Sequence, residues 1–545
     1  MLFCRIALLL LLLVGSSRAA GVANIGAEFF GPGTKAEMVT LEQAIELALN
    51  NNLDAKFERV GIAVEEARRR SAAGQFDPTF STTAIRESVR RPDNSNVFNS
   101  ASELRQLDQI NAINANTDAI RAAQGLAPLD RNNATTGISS IVFDQQNDRI
   151  TSGIQGRTPW GLRYGFQVEA NRLRNTFSGD LRDVFPEYQT SATLTLIQPL
   201  LKNFGPAANL ADLRIARLNK QTQILTWKQR VSTTVQNVIS TYYDMLYAMR
   251  DVELKEQSIE SGLKLLAQNK RRLELGFMSP LDVQQAEVQV STDREALIIS
   301  KGFFMERQFA LKRLVLDELK SGDQRIFIPL TTPRLAVPKI EHAEFMQTAL
   351  ARRYDYQVAL LDAEIQEVRL RFARNQMWPQ VDLVGTYGLN GLQGNYGDAF
   401  DDVFVGRTPE WSAGIQVQIP LGFVKERAQL NLVKGLKEQA ILKVKQTELN
   451  VGVDVDTVIS RILTNQQRVE TARKTRELNE EAVRVANKRL EEGQISSFEL
   501  IGQIQKLGDA QSRELATIAE LNKSVSQLWL ATGTILDRQG VYFDK

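Results

Sequence analysis

The sequence predicts an internally duplicated α+β membrane protein, and three observations lead to this fold class. The two halves of the chain repeat the same order of segments, each half contains one very long proline-free helix, and several strands alternate between apolar and polar residues. Strands with one apolar and one polar face suit a membrane β-barrel, because all backbone amides pair and the outer face meets lipid. Helices of such length suit a coiled coil outside the membrane.

The composition excludes several function classes. The chain has 545 residues, of which 43% are hydrophobic and 24% charged, as in ordinary folded proteins. Its only cysteine is Cys4 and its only histidine is His342. Metal sites and nucleophilic catalytic pairs built from these residue types are therefore largely excluded. We expect no enzyme and no cofactor.

Residues 1–19 are predicted to be a signal peptide. Arg5 precedes nine apolar residues, Ile6–Val14, and the segment Ser17-Arg18-Ala19 ends in the small residues that a cleavage site needs. The apolar run is too short to span a bilayer as a helix, and the alternative is an uncleaved anchor. Without the two arginines of this leader, basic and acidic residues are equal in number, which gives no general attraction to nucleic acid. Residues 20–37 are expected to be a linker.

The internal repeat defines the domains. A shift of 301 residues superposes Ala48-Leu49 on Ala349-Leu350 and Pro78 on Pro379, with several identities between them. The first repeat is predicted at 38–340: a helix at Leu41–Gly74, strands within 76–198, a long helix at 209–275 and a return helix at 279–316. The second repeat is predicted at 341–535: a helix at 344–375, strands within 380–421, a long helix at 428–492 and a return helix at 496–532. Residues 536–545 form a tail.

Apolar residues recur along both long helices at intervals of three and four. They are Val235, Val238, Tyr242, Leu246 and Met249 in the first helix, and Val451, Val455, Val458, Ile462 and Val469 in the second. Each helix would be about 100 Å long at roughly 1.5 Å per residue. Such stripes indicate packed coiled-coil seams and not ligand sites.

Strand patterns have a period of two. Trp160–Asn171 places apolar residues at even positions and mostly polar residues or glycine at odd positions, and the segment Ile415–Leu421 alternates in the same way. A soluble sandwich with one wet face would show the same pattern. The polar stretch 90–147 is predicted to be an exposed loop within the first repeat. Whether the extra strand pair near 150–172 joins the main sheet or caps it remains open from sequence.

Two glycine turns separate the long helices from the return helices. Gly276 and Gly493 stand at the helix ends, each followed three residues later by a serine suited to open the next helix. Asp282 and Glu499 lie three residues after those serines, which is the spacing of a capping box. A structural capping role is thus one interpretation of both acids.

These features resemble the TolC-like outer-membrane efflux proteins. The resemblance rests on the signal peptide followed by Leu41–Asn52, on the Gln198–Leu201 entry into a long helix, and on the paired Arg-Leu-Glu-x-Gly turns. It covers about residues 38–535 in duplicated order. It implies a homotrimer in which each chain gives four strands to one outer-membrane β-barrel, continued by a hollow helical barrel across the periplasm.

The resemblance also assigns roles to the turns. They would form the periplasmic tip, where Glu499 and Asp282 line the pore entrance and where an adaptor protein docks at Gly276 and Gly493. A ring of three Glu499 carboxylates would favour cations. The sequence departs from some relatives here, because Gly502 replaces a second acid and Ile495 replaces an arginine that would latch the gate.

The function implied is an exit duct of a tripartite efflux or type I secretion system. Substrates would pass passively from a periplasmic adaptor and an inner-membrane pump or ABC transporter to the exterior, and the chain has no nucleotide-binding loop of its own. The alternatives are a periplasmic or surface coiled-coil scaffold or adhesin, an ordinary porin, and a carboxylate enzyme using Asp401 and Asp402. The cargo and the class of pump are not determined by the sequence.

Overall fold

The computed structural model describes residue 28 and residues 35–93, 101–129, 141–175, 186–318 and 324–542. The predicted signal peptide and most of the predicted linker lie outside the described residues. The chain divides into a helical unit, within residues 1–68, 216–366 and 436–545, and a sheet unit, within 69–215 and 367–435.

The elements follow the duplicated order. The first repeat contains β1 Lys35–Val39, α1 Leu41–Asn51, α2 Leu53–Ala73, β2 Thr79–Asp93, α3 Ala101–Ala123, β3 Ile141–Arg157, β4 Arg163–Asn175, β5 Glu187–Pro199, α4 Pro206–Asn209, α5 Ala211–Glu274, α6 Pro280–Val315 and β6 Arg325–Pro329. The second contains α7 His342–Arg352, α8 Tyr354–Gln376, β7 Gln380–Gln393, α9 Tyr396–Val405, β8 Thr408–Gln418, α10 Val424–Glu491, α11 Ser497–Ala531 and α12 Ile535–Arg538.

Each helix expected as continuous at the start of a repeat is broken once. The breaks fall at Asn52 and Arg353, which the 301-residue shift superposes. The Asn52 side chain accepts a hydrogen bond from the N–H of Ala55 at 3.1 Å and donates to the carbonyl of Leu314 at 3.1 Å. A side chain that satisfies backbone groups at the break replaces the helical bonds lost there.

Arg353 stabilises the second helix break through ion pairs. Its guanidinium donates to Asp355 at 2.6 Å and to Asp454 of α10 at 2.8 Å. Burial would lower the pKa of Arg353, but its hydrogen bonds to the two carboxylates outweigh burial and raise that pKa. Burial likewise would raise the pKa of Asp355, and the bond from Arg353 outweighs it and lowers that pKa.

The end of the expected N-terminal linker is a strand, which corrects that boundary. β1 pairs in parallel with β6, and the two strands lie in the helical unit. The fully buried Tyr242 of α5 joins them to the helices, because its hydroxyl donates to the carbonyl of Val39 and accepts from the N–H of Thr331, both at 3.0 Å. Five-residue strands lack enough alternation to be recognised from sequence.

Both predicted helical seams are part of the core. The seam of α5 is buried from Val235 to Met249, and that of α10 is buried at Val451, Val455 and Ile462. Lys523 of α11 also connects the two helices by an ion pair, since its ammonium lies 2.7 Å from Asp244 of α5. Burial would lower the pKa of Lys523, and its bonds to Asp244 and the neighbouring Glu520 raise it instead.

A second set of apolar positions in the helical unit is not covered by any of the described residues. It lies on α2 and α10 and consists of Leu53, Phe57, Val60, Val64, Leu442, Leu449, Val453 and Leu463. Phe57 is 77% exposed. The four α2 positions follow the three-and-four spacing of a packing seam, so this surface has the pattern of a helix interface whose partner is not among the described parts of the chain.

The sheet unit contains one six-stranded antiparallel sheet, in the order β2-β3-β4-β5-β7-β8. The extra strand pair is the hairpin β3–β4, which lies inside the sheet between β2 and β5 and thus does not cap it. The resemblance implied four strands from each chain, and the described sheet has six. β4 begins at Arg163, so Trp160 lies in the preceding turn and not in the strand.

Two further expectations are corrected. The polar stretch 90–147, expected to be a loop, contains helix α3, the end of β2 and the start of β3. The expected C-terminal tail begins with α12, whose Ile535 and Leu536 are buried in the main core of the helical unit. The ends of β2 and β3 are concealed by polar composition because each pairs with a segment distant in sequence.

Candidate functional site: the helical turns and the two-faced sheet

Both predicted turns end their long helices with glycine in the left-handed region. Gly276 has φ +76° and Gly493 has φ +71°. After α5, the Gly276 N–H donates to Leu273 at 2.9 Å and the Phe277 N–H donates to Arg272 at 2.8 Å, and the second turn has the same two bonds. A Cβ at either glycine would meet no atom within 4 Å. The glycines are therefore needed for backbone conformation, and the surface above them is open.

The two turns are joined to each other. Ser497 Oγ donates to Asn269 Oδ1 at 3.2 Å, and Arg272 Nη1 donates to the carbonyl of Leu490 at 3.2 Å. Asn269 and Ser497 are buried. An apolar cluster surrounds these bonds; it consists of Leu265, Ala286, Ala486, Leu490, Leu500 and Ile501, with Ile495 among the residues packed against it. Ile495, which stands where some relatives have an arginine that latches the gate, thus makes apolar contacts.

The two predicted acids differ in their surroundings. Asp282 completes a capping box, since its carboxylate accepts from the Ser279 N–H at 3.2 Å and from Ser279 Oγ at 2.7 Å. Glu499 is exposed, and only its backbone N–H bonds to Ser496, at 3.3 Å. Among the described residues, no hydrogen bond or ion pair engages the Glu499 carboxylate. The sequence could not separate the two acids, because both have the capping spacing.

Large apolar side chains flank the turns on the surface. They are Leu275, Phe277, Leu281 and Phe498, and Phe277 is 81% exposed. Exposed aromatic and aliphatic residues beside an open glycine form the kind of surface on which another helix packs. Docking was predicted at Gly276 and Gly493, and the structure adds the exposed Leu281 and Phe498 to the apolar neighbours Leu275 and Phe277.

One face of the sheet is apolar across all six strands. A row of directly opposed residues consists of Phe80, Ile154, Phe166, Leu194, Tyr387 and Trp411, one from each strand. All six are exposed, and Phe166 in the middle of the row is 47% exposed. Along β7 this face runs from Leu383 to Gly391, about 27 Å at roughly 3.4 Å per residue. That length is close to the apolar band of a membrane barrel.

The opposite face is polar. The neighbouring row contains Thr79, Gln155, Gly165, Thr195, Thr386 and Ser412, and the next contains Ser81, Gly153, Gln167, Thr193, Gly388 and Glu410. Nearly all of these residues are small or uncharged. The predicted period-two alternation is therefore real, and it stays in phase through the whole sheet.

Charges and a short helix mark the end of the apolar face. Beyond it, Arg86 and Arg172 lie 3.5 Å from Asp148. α9 packs against this end of the sheet, because Thr190 Oγ1 donates to the carbonyl of Ala399 at 2.7 Å. A Cβ at Gly391 would lie 2.0 Å from that carbonyl, so only glycine lets α9 approach. This helix was not predicted from the sequence.

The acidic pair considered for catalysis lies on α9. Asp402 accepts from Gln393 Nε2 at 2.6 Å and pairs with Arg407 at 3.0 Å. These bonds tie the helix to the ends of β7 and β8. The contacts of Asp402 are thus those of a structural residue.

Asp382 is a polar-face residue that the sequence did not single out. It is 2% exposed, and its Oδ2 accepts from Gln380 at 2.7 Å and from Arg163 at 3.3 Å. The carboxylate thus cross-links β7 to β4 over the intervening β5. The sequence feature that could have identified Asp382 is its place on the polar side of the alternating pattern of β7.

Comparisons with known proteins agree with this architecture. The family model of the outer membrane efflux proteins matches residues 154–315 and 345–534, well over half of the chain. A search of curated proteins by sequence found no match. Among the described residues, no helix has both the length and the apolarity required to cross a membrane.

Several solved structures are similar in fold. CusC is 12% identical with a TM-score of 0.62, covering 90% of this chain and 92% of its own. The Campylobacter jejuni CmeC outer membrane channel is 14% identical with a TM-score of 0.59, covering 91% and 86%. The open Neisseria gonorrhoeae MtrE outer membrane channel is 14% identical with a TM-score of 0.57, covering 91% and 89%. With its two-faced sheet, long helices and paired turns, this chain belongs to the outer membrane efflux protein family.

Proposed function

We propose that three copies of this chain form an outer-membrane exit duct that conducts substrates passively. The sheet lies in the outer membrane and the helical unit lies in the periplasm. The duct receives cargo from a periplasmic adaptor and an inner-membrane pump or ABC transporter. The observation that carries the proposal is the row of exposed apolar residues across all six strands, backed by a polar face.

The faces of the sheet support a membrane location. Contact of apolar surface with water costs about 25 cal/mol of free energy per Å², so an exposed face of this extent is unfavourable in water. Lipid on this face removes that penalty, while the polar face borders water inside a closed barrel. The two outer edges, on β2 and β8, have no partner within the described sheet. In a membrane such edges must pair, and other copies of the chain supply the partners.

The helical unit supports self-association independently. The uncovered seam on α2, from Leu53 to Val64, has the spacing of a coiled-coil interface. The exposed apolar positions of α10 supply a surface of matching character on a neighbouring copy. Repetition around an axis would cover both seams in every copy, since each chain offers one of each.

The turns are proposed as the periplasmic entrance. Threefold repetition would bring three Glu499 carboxylates around the axis, and this ring of negative charge would favour cations. Asp282 lines the same entrance in this proposal, with its carboxylate committed to the helix cap. Adaptor helices would pack over Gly276 and Gly493, using the exposed Phe277 as an apolar contact.

The proposal is tested on the full-length protein purified from outer membranes in detergent. We expect a trimer by native mass spectrometry and discrete conductance steps in planar lipid bilayers. A chain that leaves the membrane without detergent and stays monomeric would instead be the coiled-coil scaffold. Trimers that insert but never conduct, even with the adaptor added, would contradict the duct.

A further inference from the structure

We propose that the duct is closed by eighteen strands, six from each of three copies, with β8 of one copy paired to β2 of the next. The resulting lumen admits polar solutes that are too wide for a barrel of twelve strands. This inference rests on the proposed homotrimer, and it follows from the place of the hairpin β3–β4 in the sheet.

The hairpin is an integral part of the sheet. β3 pairs with β2 from Thr79 to Asp93, along the full length of β2, and β4 pairs with β5 from Arg163 to Leu173. Side chains lock the register as well, since Thr82 Oγ1 and Ser152 Oγ are 2.5 Å apart. Removing the hairpin to cap a pore would break both ladders at once.

The faces of the hairpin are in phase with the rest of the sheet. Ile154 and Phe166 stand in the same apolar row as Leu194 of β5, while Gln155 and Gln167 share the polar face with Thr193 and Thr195. A strand pair that folded over the lumen would have no reason to keep a lipid-type face on this side. The alternation therefore indicates that β3 and β4 lie between lipid and lumen like the other four strands.

Closure is possible because the strand number is even. In a six-stranded antiparallel meander the first and last strands run in opposite directions, so β8 can pair antiparallel with β2 of the next copy. The shared faces restrict the register: Ser412 must be opposite a polar-face residue of β2, such as Thr79, Ser81 or Thr83. Pairing with Thr82 would put a polar-face residue beside an apolar-face one.

The consequence is a wider passage with a polar lining. Barrel diameter grows about linearly with strand number, so eighteen strands give a diameter roughly 1.5 times that of twelve. The lining rows in the middle of the strands are rich in Thr, Ser, Gly and Gln, and two of the lining arginines are paired with acids. Arg149 lies 3.4 Å from Glu169, and Arg163 lies 3.3 Å from Asp382. Small uncharged groups neither narrow the lumen nor hold ions tightly. The cargo class is therefore bulky and polar.

Cysteine pairs in the trimer test the arrangement. The variant Thr82→Cys/Ser152→Cys is expected to form a disulfide within each chain. The variant Thr82→Cys/Ala192→Cys is expected to form none, because two strands separate β2 from β5, a distance of about 14 Å. Ser412→Cys with Ser81→Cys or a polar-face neighbour is expected to link chains into dimers and trimers, whereas Ser412→Cys/Thr82→Cys is the matched control that stays unlinked.

Pore size gives an independent measurement. In a second variant a short Gly-Ser loop replaces residues 94–186, which leaves β2 beside β5 in antiparallel orientation and a barrel of twelve strands. Polyethylene glycols of graded size, added from the extracellular side of single channels, are expected to enter the full-length channel up to a cutoff radius about 1.5 times that of the deletion variant.

The outcomes separate this inference from the proposed function. Two results would overturn the strand count alone in trimers that conduct. One is a disulfide between the two introduced cysteines of the Thr82→Cys/Ala192→Cys variant, and the other is the same polymer cutoff for the full-length channel and the deletion variant. If the deletion variant does not fold, the cysteine pairs decide by themselves. Loss of trimers and conductance in the unmodified protein would instead overturn the duct.

Discussion

The assignment of the two sheet faces makes opposite predictions for neighbouring residues of β4. Phe166 stands in the middle of the apolar row, between Ile154 and Leu194, and 47% of it is left exposed by its own chain. Gln167 is the next residue and points to the polar face, opposite Gly153 and Thr193. Arginine introduced at these two positions has the same charge, size and depth and differs only in the face that carries it.

The expected magnitude follows from the location. Arginine on the lipid face near the bilayer midplane costs about 2–4 kcal/mol, and on the lumen face its charge remains in water. Phe166→Arg should thus reduce the folding equilibrium of each chain roughly 30- to 700-fold, at about 1.4 kcal/mol per factor of ten. Three copies in a trimer give a total of about 6–12 kcal/mol. Gln167→Arg should change stability little and shift ion preference toward anions.

The assay is equilibrium unfolding in phospholipid vesicles, with the heat-resistant trimer band on gels as a second readout. Both variants and the unmodified chain are refolded side by side. Equal losses for the two variants, or a larger loss for Gln167→Arg, would refute the assignment of lipid and lumen faces. A uniform loss would also show that β4 is covered by protein on both sides.

Other predictions concern the helical unit. Glu499→Gln should lower cation preference in single-channel recordings with unfolding unchanged, whereas Asp282→Asn should leave ion preference nearly intact and destabilise its helix by about 0.5–2 kcal/mol in chemical denaturation. The reverse pattern would exchange their roles. Gly276→Val should cost about 1–2 kcal/mol from left-handed strain and weaken cross-linking to the adaptor, and unchanged cross-linking would remove the docking proposal. Tyr242→Phe should cost about 1–3 kcal/mol in thermal or chemical unfolding, because the Thr331 N–H loses its acceptor while the Val39 carbonyl keeps the Leu330 N–H. A cost below about 0.5 kcal/mol would show that water replaces the hydroxyl. The raised pKa of Lys523 means that its stabilisation is complete below the unfolded-state pKa and disappears as pH rises through the folded-state pKa. Unfolding free energy should therefore fall above about pH 10, and Lys523→Met should make that fall shallower.

The turns show how far local sequence reasoning reaches. Glycine at the helix end and serine at the next start determine backbone geometry over a few residues, so Gly276 and Ser279 could be assigned without a structure. The functions of the two acids could not be separated in the same way. Only the folded turn shows that the Asp282 carboxylate returns to Ser279 while that of Glu499 is left exposed.

The sequence by itself determined the duplication, the long helices, the seams and the period-two strands, because each depends on residues that are close together along the chain. The tertiary structure alone decided that β3 and β4 belong to the sheet, that β1 pairs with β6, and that α9 covers one end of the apolar face. These outcomes depend on pairing between segments far apart in sequence. A strand's alternation fixes which residues share a face but leaves open which neighbour it pairs with.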